Sequence, residues 1–198
     1  MTVMPRTYLE DIRAELEESL KIKQRVIDEQ IPVIQEILTA LLQALSAGNK
    51  VILFGNGGSA ADSQHIAGEL VSKFRRERKA LPAIALTTDT SILTSIANDF
   101  GFEYVFARQI EALGVPGDIA LGISTSGNSP NVVHALRVAG ELGLVTIGFT
   151  GEDGGELKDA VDICFQVPSN STPRIQEMHI TVAHTLCELI EMELFKEK

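Results

Sequence analysis

The stretch Val51-Ile-Leu-Phe-Gly-Asn-Gly-Gly-Ser-Ala-Ala-Asp-Ser-Gln-His-Ile-Ala-Gly-Glu69 decides the fold and points to the chemistry. Val51 to Phe54 is a short apolar run of the kind buried in a parallel sheet, and Gly55, Gly57 and Gly58 permit a tight turn with positive φ. Ser59 has the character of an N-cap, so a helix is expected over 59–75. The unpaired N–H groups of such a helix start, with the helix dipole behind them, favour an anion at the turn. His65, a potential metal ligand, and Glu69, a potential base, lie four residues apart on one helical face. A phosphate held at the turn would leave the other end of a small molecule near this pair. The loop contains neither Gly-Lys-Ser/Thr nor Gly-x-Gly-x-x-Gly, so it is neither a Walker loop nor a dinucleotide loop.

A second segment, Ile119-Ala-Leu-Gly-Ile-Ser-Thr-Ser-Gly-Asn-Ser129, repeats the theme. An apolar strand ends in three serines and a threonine before a helix that begins near Pro130, with Ser129 as its cap. In an open parallel sheet the loops at the carboxyl ends of strands converge at a topological switch point, so these two loops can share one ligand. Neutral donors, not a basic patch, would hold the phosphate.

Composition sets the outer limits. The 198 residues are 44% hydrophobic, enough for one good core, so a single domain over 1–198 is expected. A formal net charge of −10 argues against nucleic acid or an anionic membrane as partner. No apolar run approaches a transmembrane length and the first residues do not resemble a secretion signal, so the chain reads as soluble and cytoplasmic. Cys164 and Cys187 show no paired spacing and read as reduced core residues.

Residues 1–47 form an N-terminal helical segment, expected in two pieces broken near Glu29 to Pro32, with Ile34, Ile37, Leu38, Leu41, Leu42 and Leu45 at helical spacing. Over 48–198 the pattern alternates. Strands are expected at 51–54, 82–86, 118–123, 144–149 and 161–166, and helices at 59–75, 89–98, 103–113, 130–142 and 173–196. This is an α/β fold, a five-stranded parallel sheet flanked by helices on both faces, with extra N-terminal and C-terminal helices. The apolar stripes of those extra helices suit a subunit interface. Two of the four histidines, His179 and His184, lie on the last helix, together with Gln176.

Six motifs in order, Gly55-Asn-Gly-Gly-Ser59, His65/Glu69, Asn98-Asp99-Phe-Gly-Phe102, Gly122-Ile-Ser-Thr-Ser-Gly-Asn-Ser129, Thr150-Gly-x-Asp-Gly-Gly155 and Arg174-Ile-Gln-Glu-x-His179, resemble the phosphoheptose isomerases. The likeness runs from about residue 30 to the end. It implies a sugar-isomerase (SIS) domain of flavodoxin-like topology and conversion of sedoheptulose 7-phosphate to D-glycero-D-manno-heptose 7-phosphate, a first step towards the heptose of lipopolysaccharide. It further implies a cytoplasmic homotetramer with sites at subunit interfaces and one zinc ion per site. Carried over residue by residue, His65, Glu69, Gln176 and His184 would be metal ligands, with Glu69 and His184 as acid and base. Asn56, Gly57, Gly58, Ser59, Glu69, Asn98, Asp99, Ser124, Thr125, Ser126, Ser129 and Gln176 would contact the phosphosugar substrate.

Where many members carry His-Cys-Asp, this chain has Ala60-Ala61-Asp62, a version also similar to a replication-initiation regulator built on the same domain. Because that regulator resembles the isomerase without the catalytic pair, Glu69 and His184 favour the enzyme. The other readings are a non-catalytic phosphosugar-binding module and an isomerase of another phosphosugar. Helix geometry adds a constraint, since Gln176 and His184 stand about 12 Å and about 80° apart on one helix and can hardly meet at one ion. Either one of them is not a ligand or a second subunit supplies its copy.

Overall fold

The computed structural model describes residues 7–196. The element order is α1 (Leu9–Ser46), β1 (Val51–Gly55), α2 (Gly58–Val71), β2 (Ala83–Ala85), α3 (Thr90–Asp99), α4 (Ala107–Leu113), β3 (Ile119–Ile123), α5 (Pro130–Glu141), β4 (Val145–Thr150), β5 (Ile163–Gln166) and α6 (Thr172–Leu194). Short 3-10 turns occupy Phe102–Tyr104 and Gly155–Ala160. All five strands pair in parallel in the order β2-β1-β3-β4-β5. The order reverses between β1 and β3, which makes the loops after these two strands the natural ligand crevice.

Alternation along β1 divides the core. Val51 and Leu53 face one apolar layer with α1, α2 and α6, while Ile52 and Phe54 face the other with α4 and α5. Both layers are closed, as the uninterrupted apolar strands require.

The helices depart from expectation at several points, among them the one expected over 103–113, which begins only at Ala107 after the 3-10 turn. The N-terminal segment is a single helix that passes through Pro32 without a break, and the first six residues of that segment lie outside the described ones. Proline removes one backbone hydrogen bond, but Pro32 sits on the exposed side of α1. Ile22 and Val26 before it and Ile34, Ile37 and Leu41 after it pack on the same core layer, so tertiary packing carries the helix across. The part of α1 that precedes this core contact leaves Leu9, Ile12, Leu16 and Leu20 exposed in a row. The helix expected to reach residue 75 instead ends at Val71. Among the described residues no helix is long and apolar enough to cross a membrane.

Candidate active site

β1 delivers the chain to Asn56 and Gly57, and Gly57 takes a positive φ of 55° as the N-cap of α2. Ser59 is therefore not the cap. It lies buried inside the first turn, where its carbonyl accepts a hydrogen bond from the Ser63 hydroxyl at 2.8 Å. The N–H groups of Ser59, Ala60 and Ala61 are taken by the carbonyls of Asn56 and Gly57 at 3.0, 3.1 and 3.2 Å, which leaves the N–H of Gly58 at the turn. The amide of Gln176, on α6, stands directly over Gly58, so a side chain there would displace it.

The serine loop approaches from β3. Ser124 and Ser129 pair hydroxyl to hydroxyl at 2.9 Å, the Ser124 N–H is held by the Phe149 carbonyl at 3.0 Å, and Pro130 opens α5 behind Ser129. Ser129 is the cap in position, but its hydroxyl faces Ser124 instead of bonding the helix. Thr125 is half-buried and Ser126 exposed. The two loops are tied together by Asn56 and Asn131, whose side-chain amides exchange two hydrogen bonds of 2.9 Å. Asn131 is buried and was not singled out in the sequence, because its partner lies 75 residues away.

Two turns further along the paired helices the chemistry changes. His65 Nε2 lies 3.2 Å from a Glu69 carboxylate oxygen on α2 and 3.0 Å from His184 Nε2 on α6. The three donor atoms all lie within 4.8 Å of one another. Ligand atoms around a tetrahedral ion bound at 2.0–2.1 Å are spaced by about 3.3 Å, so the arrangement fits a metal, and a donor set of two imidazoles and a carboxylate suits zinc. All three come from one chain. Phe74 packs its ring against His184 with centroids 5.5 Å apart.

A carboxylate that sequence reasoning passed over completes the picture. Asp62, three residues before His65, has an oxygen buried without a partner. Burial raises its pKa, opposed by the neighbouring His65 and His184. The spacing 62, 65, 69 places it on the ligand face of α2, the signal that could have found it.

Other expected residues fall elsewhere. Asn98 and Asp99 lie at the exposed end of α3, bonded to each other at 2.7 Å, and no hydrogen bond among the described residues joins them to the loops or to His65. Gln176, over Gly58, and His184, beside His65, mark the two ends of the α2–α6 contact, as their spacing on one helix requires. His179, between them, points into the core: it is buried beside Phe149 and Phe165, with Nε2 3.2 Å from the Thr150 carbonyl. His134 packs against Tyr104 on the far side of α5. Burial pushes the Cys164 thiol up to about 11 and the Cys187 thiol up to about 12, as for inert core cysteines.

A switch-point crevice lined by neutral donors, with a histidine–carboxylate cluster one step beyond, defines a class of α/β proteins that hold a small anionic ligand. The SIS domain family model matches residues 16–151. The phosphoheptose isomerase of Roseiflexus sp. (strain RS-1) is 59% identical over 183 residues, 92% of this chain and 93% of that protein. Among solved structures, a phosphoheptose isomerase from Francisella tularensis superposes with a TM-score of 0.91 at 38% identity, covering 95% of this chain and 100% of its own. That from Neisseria gonorrhoeae gives 0.88 at 42% identity, covering 93% and 99%. The chain belongs to the SIS domain family and, within it, to the phosphoheptose isomerases. It is an enzyme, an isomerase.

Proposed function

We propose that the protein interconverts sedoheptulose 7-phosphate and D-glycero-D-manno-heptose 7-phosphate in the cytoplasm, supplying heptose for lipopolysaccharide or related surface glycans. The observation that carries this reading is the convergence of His65, Glu69 and His184 beyond the two anion-binding loops. The phosphate belongs at the starts of α2 and α5, held by the backbone of Asn56, Gly57 and Gly58 and by Ser124, Thr125, Ser126 and Ser129. Asn98, Asp99 and Gln176 are assigned to the sugar hydroxyls.

The reaction moves a carbonyl from C2 to C1. Glu69 takes the proton from C1, the C2 oxygen accepts one from His184, and the result is a cis-enediol. His184 then removes the proton from the C1 oxygen while Glu69 returns its proton to C2, so both residues end as they began. Each such transfer contributes about 10²- to 10⁴-fold. His65, Glu69 and His184 would hold zinc, which when bound would supply electrophilic stabilisation of negative charge on the sugar oxygens. Where Gln176 is the fourth ligand, its copy comes from a second chain, because that of the same chain stands over Gly58. The exposed Leu9, Ile12, Leu16 and Leu20 of α1 support assembly, and a homotetramer with sites at its interfaces is the proposed state.

Incubating the purified protein with sedoheptulose 7-phosphate and following the aldose by NMR tests the proposal. Aldose appearing with the wild type but not with Glu69→Gln supports it. A wild type that is inert, or that binds the ketose without turning it over, leaves a non-catalytic phosphosugar-binding module instead.

A further inference from the structure

The segment that follows α2 leaves the helix at Ser72 and is gathered by one buried carboxylate. Glu191, near the end of α6, accepts backbone N–H hydrogen bonds from Phe74 at 2.7 Å, Arg75 at 2.9 Å and Arg76 at 3.1 Å. It also pairs with Arg78 Nε at 3.0 Å, and both side chains are almost fully buried, 1% and 2% exposed. Burial would raise the Glu191 pKa, but the N–H donors and the Arg78 charge outweigh it and hold the carboxyl below its usual range.

The guanidinium of Arg78 turns its remaining nitrogens on the end of α2. It donates to the Glu69 carbonyl at 2.8 Å, the Leu70 carbonyl at 2.7 Å and the Ser72 carbonyl at 3.2 Å. These are carbonyls that a helix end leaves unpaired, and a cation there also opposes the negative end of the dipole. A buried ion pair adds little net stability compared with apolar residues of the same volume. This one links two features of the site. Through Arg78 it fixes the residue that bears the Glu69 carboxylate, and through the Phe74 N–H it fixes the ring that packs on His184.

We propose that Arg78 and Glu191 are positioning residues for the metal centre: they lock the end of α2 and the 72–78 segment onto α6 so that His65, Glu69 and His184 meet. The proposal rests on the reading of that trio as a metal site. Groups of this kind, one step behind the ligands, typically alter metal affinity about 10- to 100-fold when removed.

The measurement is zinc affinity of metal-stripped protein, by competition with a chromophoric chelator. Three variants probe the clamp. Glu191→Gln places an amide N–H₂ against N–H donors, Arg78→Lys keeps the charge but cannot span Glu191 and the carbonyls of Glu69 and Leu70 together, and Phe74→Leu removes only the ring on His184. The control is Asp118→Asn. Asp118 is an equally buried carboxylate that accepts the N–H groups of Lys50 and Val115 and pairs with the Lys50 ammonium, at the opposite end of the sheet. We expect Glu191→Gln and Arg78→Lys to bind zinc about tenfold or more weakly, with a smaller loss for Phe74→Leu, while Asp118→Asn loses thermal stability and keeps its affinity. If one clamp variant does not yield folded protein, the other and Phe74→Leu still decide. Affinities equal to that of Asp118→Asn in every folded clamp variant would overturn the proposal. His65→Ala separates the two ideas: a wild type that binds zinc no better than this variant removes the metal reading, and the positioning role with it.

Discussion

At the Gly58 end of the α2–α6 pair the side chains are neutral amides and hydroxyls, whereas seven residues further along α2 they are His65 and Glu69, joined by His184. The first end is built from backbone and rigid pairing: a glycine turn, Ser124 against Ser129, and Asn56 against Asn131. The second is built from groups that can exchange a proton or hold a cation. About 10–12 Å of helix separates them, roughly the span of a seven-carbon sugar phosphate. In the proposed function one end binds and the other reacts, so substitutions at the two ends should separate in kinetics.

The largest effect belongs to the reactive end. Glu69→Gln keeps the size of the side chain and removes the base, so turnover is expected to fall at least about 10²-fold with KM little changed and the protein folded. Near-normal turnover in steady-state assays would take Glu69 out of the mechanism. At the binding end, Ser124→Ala deletes the buried hydroxyl of the Ser124–Ser129 pair. It is expected to raise KM about tenfold while kcat stays within about threefold, the mark of an interaction made equally with ground and transition states. A fall in kcat alone would erase the division between the two ends.

Subunit mixing sharpens the comparison further. His184 meets His65 and Glu69 of its own chain, so co-assembling Glu69→Gln with His184→Ala is expected to give no recovery of activity. Mixing Glu69→Gln with Gln176→Ala recovers it if Gln176 acts across an interface, because random 1:1 assembly leaves about a quarter of two-chain sites intact. Native mass spectrometry has to show mixed oligomers, and recovery by the His184 mixture would contradict the single-chain cluster.

The smallest effect on turnover concerns a histidine that belongs to neither end. Burial lowers the His179 pKa to about 4, against the opposing hydrogen bond to Thr150. Between that value and the unfolded value near 6.5, only the unfolded chain binds the proton, so stability is lost as pH falls through this window and is level above it. The full loss is on the order of 3 kcal/mol. His179→Gln is expected to flatten the melting temperature between pH 6.5 and pH 4 without changing turnover at neutral pH, and an unchanged slope would refute the assignment.

What could be read in the sequence follows from how local the cause is. The Gly57 turn, the apolar strands and the 65/69 spacing are local, so the sheet, its crevice and two of the three residues of the candidate metal cluster were legible. Pro32 misled because its penalty is local while the packing of Ile37 and Leu41 that overrides it is not. Ser59 misled because Gly57 already occupies the cap. Asn131, Arg78 and Glu191 act through partners 75 and 113 residues away, a relation that one sequence does not display. Asp62 was one helical turn from His65 and could have been found by spacing alone.

In the proposed function α2 and α6 of a single chain carry one metal centre beside the phosphate crevice. Anomalous diffraction at the zinc edge, from crystals of zinc-loaded protein, tests it most directly. One peak per chain is expected, about 2.0–2.2 Å from His65 Nε2, a Glu69 carboxylate oxygen and His184 Nε2 of that same chain. A peak bound by residues elsewhere, or one whose His65 and His184 ligands come from different chains, would contradict it.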